Sequence, residues 1–155
     1  MADLWKVLNY EILMYFGVQT LQRSNIQSSD KVLFGITTNA VTEVMLLHLR
    51  VLTEVFLSAG RPDDIKIENL IPTWRRENPA LLDDLENAYT EKLEIGECPK
   101  WYLDKFLAHA TTKRGDSFVW TPVVNKMDPP LRKVLATLPS DDLPALAYFR
   151  GLLGT

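Results

Sequence analysis

Several residue types that mark particular kinds of protein are scarce in this sequence of 155 residues. It has one cysteine, Cys98, which excludes an internal disulfide and a cysteine-based zinc cluster. Its seven glycines are scattered, so it has no glycine-rich phosphate-binding loop. It also has no long alternation of apolar and polar residues of the kind that predicts a strand. These absences favour an all-α protein in a reducing, cytoplasmic setting.

The sequence has no large excess of charge of one sign and no long uncharged apolar run. Its formal charge is −3, and its pI is near 5.4, so no general attraction to nucleic acid or to an anionic membrane is expected. The apolar segment LWKVLNYEILMYFGV near the N-terminus is interrupted by Lys6 and Glu11. It is therefore too charged to be a signal peptide or a membrane span. We expect an amphipathic, largely buried helix there and no membrane association.

The main pattern in the sequence is the helical spacing of its apolar residues. Apolar residues recur at helical spacing between glycines and prolines, which predicts one all-α domain over residues 1–155, a bundle of about five to six helices. Thr37, Thr38, Asn39 and Thr42 lower the local helix propensity, so the second helix could break or kink there. The longest connection, Arg61–Pro79, would be anchored by Ile65, Ile67, Leu70, Ile71 and Trp74. The predicted helices are Asp3–Arg23, Asp30–Gly60 with Asp30 as N-cap, Pro79 to about Ile95 with Asn78 as N-cap, one entered through Pro99, one from Thr121 that breaks at Pro129-Pro130, and a short one at 140–153 capped by Ser140.

The second helix carries a histidine and an arginine with different surroundings. The helical neighbours of His48 are apolar, which predicts a buried, hydrogen-bonded core histidine. Arg50 points to nearly the opposite side, on a face shared with Glu43 and Glu54. Two interpretations stay open for this trio. It forms either ion pairs along a solvated helix or an arginine positioned by carboxylates beside a site.

The helix KWYLDKFLAHATTKRG places a cation and an imidazole on one face. Lys105 and His109 are four residues apart, with Tyr102 and Lys113 flanking them. A nearby cation lowers the pKa of an imidazole and favours the neutral form, which can accept a proton. Such a pair is also common as a solvated surface feature. Lys113 and Arg114 add two cations that would attract an anion near His109.

Taken together, the segments LLHLRVLTEVF, RPDDIKIENL and YLDKFLAHAT resemble uncharacterised bacterial members of the HEPN superfamily. Those proteins are helical bundles with an H-x-R-x-L-x-[DE] helix, an acidic connection and a [ND]-K-x-L-A-H-x-T helix. The resemblance covers roughly His48 to Leu135. It implies an HEPN-like bundle that forms a homodimer, with the helix of His109 at the interface and the two histidines near the twofold axis.

The resemblance also implies site residues, with one departure. In the ribonucleases of the superfamily an arginine precedes the histidine on the same helix and stabilises charge on phosphate, while the histidine acts as acid or base. Here the corresponding positions hold Tyr102, Leu103 and Asp104, and none is arginine. Lysine at 105 cannot replace the bidentate contact, and Arg50 could do so only if folding brings it near His109.

The sequence therefore predicts a dimerising interaction domain, associated with RNA or a nucleotide, that lacks the full nuclease motif. Two alternatives stay open: a metal-independent ribonuclease with a rearranged cleft, and a helical bundle that binds a small ligand or a metal. No histidine spacing matches a metal motif, so no metal or other cofactor is predicted. The candidate catalytic residues are Arg50, Asp104, Lys105 and His109, and the candidate binding residues are His48, Glu54, Tyr102, Lys113 and Arg114.

Overall fold

The structure, a computed structural model, describes residues 3–23, 30–57, 64–107 and 120–152. Within these ranges the chain forms α-helices, one terminal 3₁₀ helix and no strand, which confirms the all-α prediction. Three of the helices, α3, α4 and α8, are only four or five residues long. The elements are α1 Leu4–Arg23, α2 Lys31–Leu57, α3 Ile67–Leu70, α4 Trp74–Glu77, α5 Pro79–Thr90, α6 Pro99–Leu107, α7 Thr121–Leu135, α8 Pro144–Tyr148 and the 3₁₀ helix Arg150–Leu152.

The core lies between α1, the C-terminal half of α2, and the later helices. α1 packs along α2, α5 packs on α7, and α6 contacts α2, α5 and α7. Fully buried side chains from different helices meet in one apolar cluster that includes Phe16, Leu49, Leu85, Leu103 and Leu131. In the part of the chain that the structure describes, no helix is both long enough and apolar enough to cross a membrane.

The start of α2 follows the sequence prediction closely. Asp30 caps the helix, because its Oδ1 accepts hydrogen bonds from the backbone N–H groups of Val32 at 2.8 Å and Leu33 at 3.2 Å. The break that residues 37–42 made possible does not occur, because α2 continues as one α-helix to Leu57. The predicted end at Gly60 lies outside the described residues.

The third predicted helix is shorter than expected. α5 begins at Pro79, as predicted, but ends at Thr90 rather than near Ile95. Gly96 adopts φ 126°, a conformation that glycine tolerates best, and closes a tight turn before α6. Asn78 occupies the N-cap position, yet its side chain donates to the backbone oxygen of Trp74 at 3.0 Å instead of capping α5.

The predicted break at the two adjacent prolines was wrong. α7 runs through Pro129 and Pro130 as one helix of 15 residues. Each proline removes a helical hydrogen bond. Burial on both sides of them compensates, because Met127, Leu131 and Val134 are completely buried.

The last helix starts later than predicted. Ser140 does not cap it; α8 begins at Pro144, where the missing N–H of proline costs nothing in the first turn. A side chain from another helix supplies the hydrogen-bond acceptor, since Asn9 Oδ1 of α1 accepts from the backbone N–H of Ala145 at 2.8 Å. Ser140 instead pairs with Arg150, whose Nη2 donates to its hydroxyl oxygen at 3.2 Å.

The long connection between α2 and α5 is packed by its own side chains, as predicted. Its described part contains the one-turn helices α3 and α4, which the sequence did not predict. Ile67 and Trp74 are buried in the core and hold this segment against the bundle. An ion pair between Arg75 and Glu68 ties α4 to α3.

Candidate functional site

The structure brings together two candidate residues that the sequence placed on separate helices. Arg50 projects from α2 toward α6, and its Nη2 lies 3.0 Å from Asp104 Oδ1. Its Nε also donates to Glu54 Oε1, one turn further along α2, at 3.0 Å. The arginine side chain is 25% exposed. Arg50 is therefore clamped between two carboxylates, and we call Arg50, Glu54 and Asp104 the arginine cluster.

The two carboxylates of the arginine cluster keep the Arg50 guanidinium protonated and offset its positive charge. Burial by itself would lower the pKa of Arg50, but the hydrogen bond to Glu54 and the charges of Glu54 and Asp104 outweigh it and raise that pKa. One guanidinium against two carboxylates leaves a net negative charge. The cluster can join α2 to α6, but an incoming phosphate would be repelled by the carboxylates.

Tyr89 of α5 borders the arginine cluster and is 5% exposed. Its hydroxyl has no hydrogen-bond partner within the described ranges. Burial, together with the charges of Glu54 and Asp104, raises the pKa of Tyr89 well above its ordinary value, so this hydroxyl stays protonated. It is a buried neutral donor beside two carboxylates.

Because the Tyr89 hydroxyl is desolvated without compensation, we expect Tyr89→Phe to leave the free energy of unfolding unchanged or to raise it by up to about 1 kcal/mol. Urea unfolding at neutral pH measures this. Tyr102→Phe is the matched control and should lose about 1 kcal/mol, because its hydroxyl is bonded. A loss in Tyr89→Phe as large as in the control would show that the Tyr89 hydroxyl is bonded in solution.

Tyr102, a predicted binding residue, uses its hydroxyl to hold the backbone of the preceding turn. It is 7% exposed. Its hydroxyl donates to the backbone oxygen of Ile95 at 3.0 Å and accepts from the N–H of Glu97 at 3.3 Å. These bonds fasten the turn at Gly96 onto α6. The side chain of Tyr102 therefore shapes the α5–α6 connection.

His48 belongs to a different part of the molecule from the arginine cluster. It is 6% exposed, and its Nδ1 lies 2.6 Å from Glu11 Oε2 on α1. The ring of Tyr10 meets the imidazole edge-on at a centroid distance of 5.9 Å. These contacts confirm the prediction of a buried, hydrogen-bonded core histidine. They join α1 to α2.

Lys105 is exposed on the outer surface of α6. His109, Lys113 and Arg114 lie outside the described residues, so the structure neither places nor excludes them beside the arginine cluster. Among residues 3–23, 30–57, 64–107 and 120–152, no three histidine, cysteine, aspartate or glutamate side chains converge as metal ligands.

Sequence reasoning missed the most extensive polar network of the described core, formed by Tyr15 and Gln19 of α1 and Asp128 and Arg132 of α7. Asp128 Oδ1 accepts from the Tyr15 hydroxyl at 2.6 Å and from Gln19 Nε2 at 3.1 Å. Arg132 Nε donates to Asp128 Oδ2 at 2.6 Å, and its Nη2 donates to Gln19 Oε1 at 2.6 Å. The signal was an i,i+4 polar pair on each helix, but nothing in the sequence says that the two pairs face each other.

The same network shifts two titrations. Burial of Asp128 would raise its pKa, but hydrogen bonds from Arg132, Tyr15 and Gln19 outweigh burial and lower it. Burial and the charge of Asp128 raise the pKa of Tyr15 well above its ordinary value. The Arg132 guanidinium also lies over the Phe16 ring at 5.0 Å. The four side chains satisfy one another, which is typical of a structural network.

The chain matches no protein-family model, and no curated protein and no solved structure is significantly similar to it.

Proposed function

We propose that this chain is a non-catalytic, HEPN-like helical interaction domain. The observation that carries the proposal is the arginine cluster. Arg50 is the arginine that would have to stabilise phosphate in a rearranged nuclease cleft, and its Nε and Nη2 are each 3.0 Å from a carboxylate oxygen. An arginine held in this way stabilises the contact between α2 and α6 and has no free charge for a transition state.

The environment of Leu103 supports the same proposal. Leu103 occupies the position that the resemblance gives to the nuclease arginine, and it is completely buried in the core. A guanidinium at this position would lose its hydration without a partner in the apolar cluster. The packing of α6 on the bundle is therefore suited to leucine and opposed to a catalytic arginine there.

Association with RNA or a nucleotide remains part of the proposal, at the surface of α6. Lys100 and Lys105 are both exposed there. Two exposed lysines in a protein of formal charge −3 would give weak, salt-dependent phosphate binding.

A homodimer is also part of the proposal. The described part of α6 does not favour this helix as its apolar interface, because Lys100 and Lys105 are exposed, Asp104 pairs with Arg50 of α2, and Tyr102 and Leu103 are buried.

The central test is an RNA-cleavage assay without divalent metal. We expect no cleavage of single-stranded RNA by the wild-type protein, and therefore no difference between wild type and His109→Ala. Arg50→Ala should lower thermal stability, because it leaves Glu54 and Asp104 without their cation.

The opposite result is easy to recognise. An acid–base histidine contributes roughly 100- to 10,000-fold to a rate. Metal-independent cleavage that falls by such a factor in His109→Ala, with an unchanged melting temperature, would replace this proposal with the ribonuclease alternative. Lys126→Ala, which removes an exposed cation that pairs with Glu91 on another face, controls for nonspecific charge effects.

A further inference from the structure

Large exposed apolar side chains are concentrated on the hairpin of α1 and α2. Within the described residues, ten such side chains are at least 45% exposed, and only Ile95 and Tyr148 lie elsewhere. Scattered exposed leucines need no explanation, but a contiguous group does. The other eight are Tyr10, Leu13, Leu21, Val32, Leu33, Phe34, Ile36 and Leu47.

The N-terminal half of α2 is apolar but reaches the core only through Val41 and Val44, which are half-buried. The buried residues of this helix begin at Met45, so residues 31–44 contain none. The same stretch is rich in threonine and β-branched residues and contains Gly35, all of which lower helix propensity. Helices in proteins are stabilised mainly by packing of an apolar face. The first turns of α2, where Val32, Leu33, Phe34 and Ile36 are exposed, would gain stability from a further packing partner.

Exposed residues recur at helical spacing along both α1 and α2. On α1 they are Tyr10, Leu13 and Leu21, with the half-buried Gly17 between them, opposite the buried side chains of that helix. On α2 they recur at Leu33, Ile36, Ala40 and Leu47. The contact of Tyr10 with His48 sets the antiparallel register, which brings Gly17 close to the level of Ala40. The surface that we call the hairpin face consists of Tyr10, Leu13, Gly17, Leu21, Leu33, Ile36, Ala40 and Leu47.

The centre of the hairpin face is small and open. A Cβ added at Gly17 would meet no atom within 4 Å, so the packing of the chain itself does not require glycine there. Glycine inside a helix costs about 1 kcal/mol relative to alanine. A glycine opposite an alanine lets another helix approach closely. This is the geometry that a second helical hairpin crossing the first would use.

We propose that the hairpin face binds a second copy of this chain, forming a twofold, four-helix interface centred near Gly17 and Ala40. The inference rests on the proposed interaction-domain function and names its partner. Each half-exposed side chain of this size offers on the order of 100 Å², so the apolar residues of the face supply most of the roughly 800 Å² per partner that a stable interface buries.

The charges around the hairpin face favour a copy of itself over other occupants. Residues 12–21 and 32–42 contain no charged side chain, so two copies can meet without like-charge repulsion. A membrane-surface helix would instead carry cations along its polar edge, and here Lys6 and Lys31 lie at the far ends of the hairpin face. A twofold arrangement places the same uncharged surface on both partners.

The test is the mass in solution, measured by sedimentation equilibrium across micromolar concentrations. We expect twice the chain mass of 17.7 kDa for the wild type. Ile36→Glu and Gly17→Glu should each weaken the dimer by roughly 100-fold, because either places an unpaired charge in an apolar interface. Gly17→Glu also replaces glycine with a better helix former, so it should not unfold the monomer.

Tyr148→Glu is the matched control, since it adds the same charge at an apolar residue that is 81% exposed on α8, away from the hairpin face. Its dimer should be unchanged. A dimer that survives both face variants would overturn this proposal alone. A wild-type monomer at all concentrations would overturn it together with the homodimer of the proposed function, but not the non-catalytic role, which the RNA-cleavage assay tests separately.

Discussion

Asp128→Ala is expected to lower the free energy of unfolding by about 3–5 kcal/mol, because it breaks a largely buried charge network from its centre. The change leaves the Tyr15 hydroxyl without its acceptor. It also leaves Arg132, which is 13% exposed, without its carboxylate. Urea unfolding monitored by circular dichroism measures the loss.

Two variants bracket this expectation. Tyr15→Phe removes one hydrogen bond to the carboxylate and should cost about 1.5–3 kcal/mol. Asp84→Ala removes a carboxylate that is 57% exposed and lies 3.6 Å from Lys133, so it should change stability by less than about 0.5 kcal/mol. If Asp128→Ala behaved like Asp84→Ala, the α1–α7 network would not form in solution.

The same network makes stability depend on pH in a defined direction. The pKa of Asp128 is lower in the folded protein than its ordinary value of 3.8. Its stabilising contribution is therefore fully present above that ordinary value and is lost as the pH falls through the folded pKa. The stability difference between wild type and Asp128→Asn should accordingly shrink as the pH falls below about 4.

Trp74→Ala is expected to cost about 3–5 kcal/mol, since it removes the largest anchor of the connection between α2 and α5. Trp74 is 2% exposed, and its ring packs against Phe56 at a centroid distance of 5.1 Å. Its Nε1 also donates to Thr137 Oγ1 at 2.9 Å, which ties α4 to the end of α7. Thermal and urea unfolding both report the loss.

A more conservative change separates packing from hydrogen bonding. Trp74→Phe keeps an aromatic ring but loses the bond to Thr137, so it should cost less than Trp74→Ala. Arg76→Ala, at a neighbouring side chain that is 78% exposed, should stay within about 0.5 kcal/mol of the wild type. A small effect of Trp74→Ala would contradict the anchoring role.

Local sequence chemistry predicted the helices well where side chains act on their own helix. α1, the Asp30 cap and the starts of α5 and α6 followed from periodicity, capping residues and proline placement. Prediction was wrong where tertiary contacts decided. α7 crosses Pro129 and Pro130 because Met127 and Leu131 are buried on both sides. α8 begins at Pro144 and receives its acceptor from Asn9.

The predictions about the candidate site divide in the same way, between those set by one helix and those set by helix packing. The apolar neighbours of His48 in its own helix predicted its burial. The i,i+4 spacing of Arg50 and Glu54 placed these two side chains beside each other. The pairing of Arg50 with Asp104 depended on how α6 packs against α2. The sequence did not predict this pair; its condition was that folding bring Arg50 near His109, which lies outside the described residues.

The sequence by itself determined that this protein is all-α, where most helices begin, and which faces are apolar, because these properties depend on residues within a few positions of one another. Only the tertiary structure decided that Asp104 neutralises Arg50 and that Asp128 joins α1 to α7. It also showed that half of α2 keeps an apolar surface outside the core. Those outcomes depend on the relative rotation and register of packed helices, which no short segment of sequence specifies.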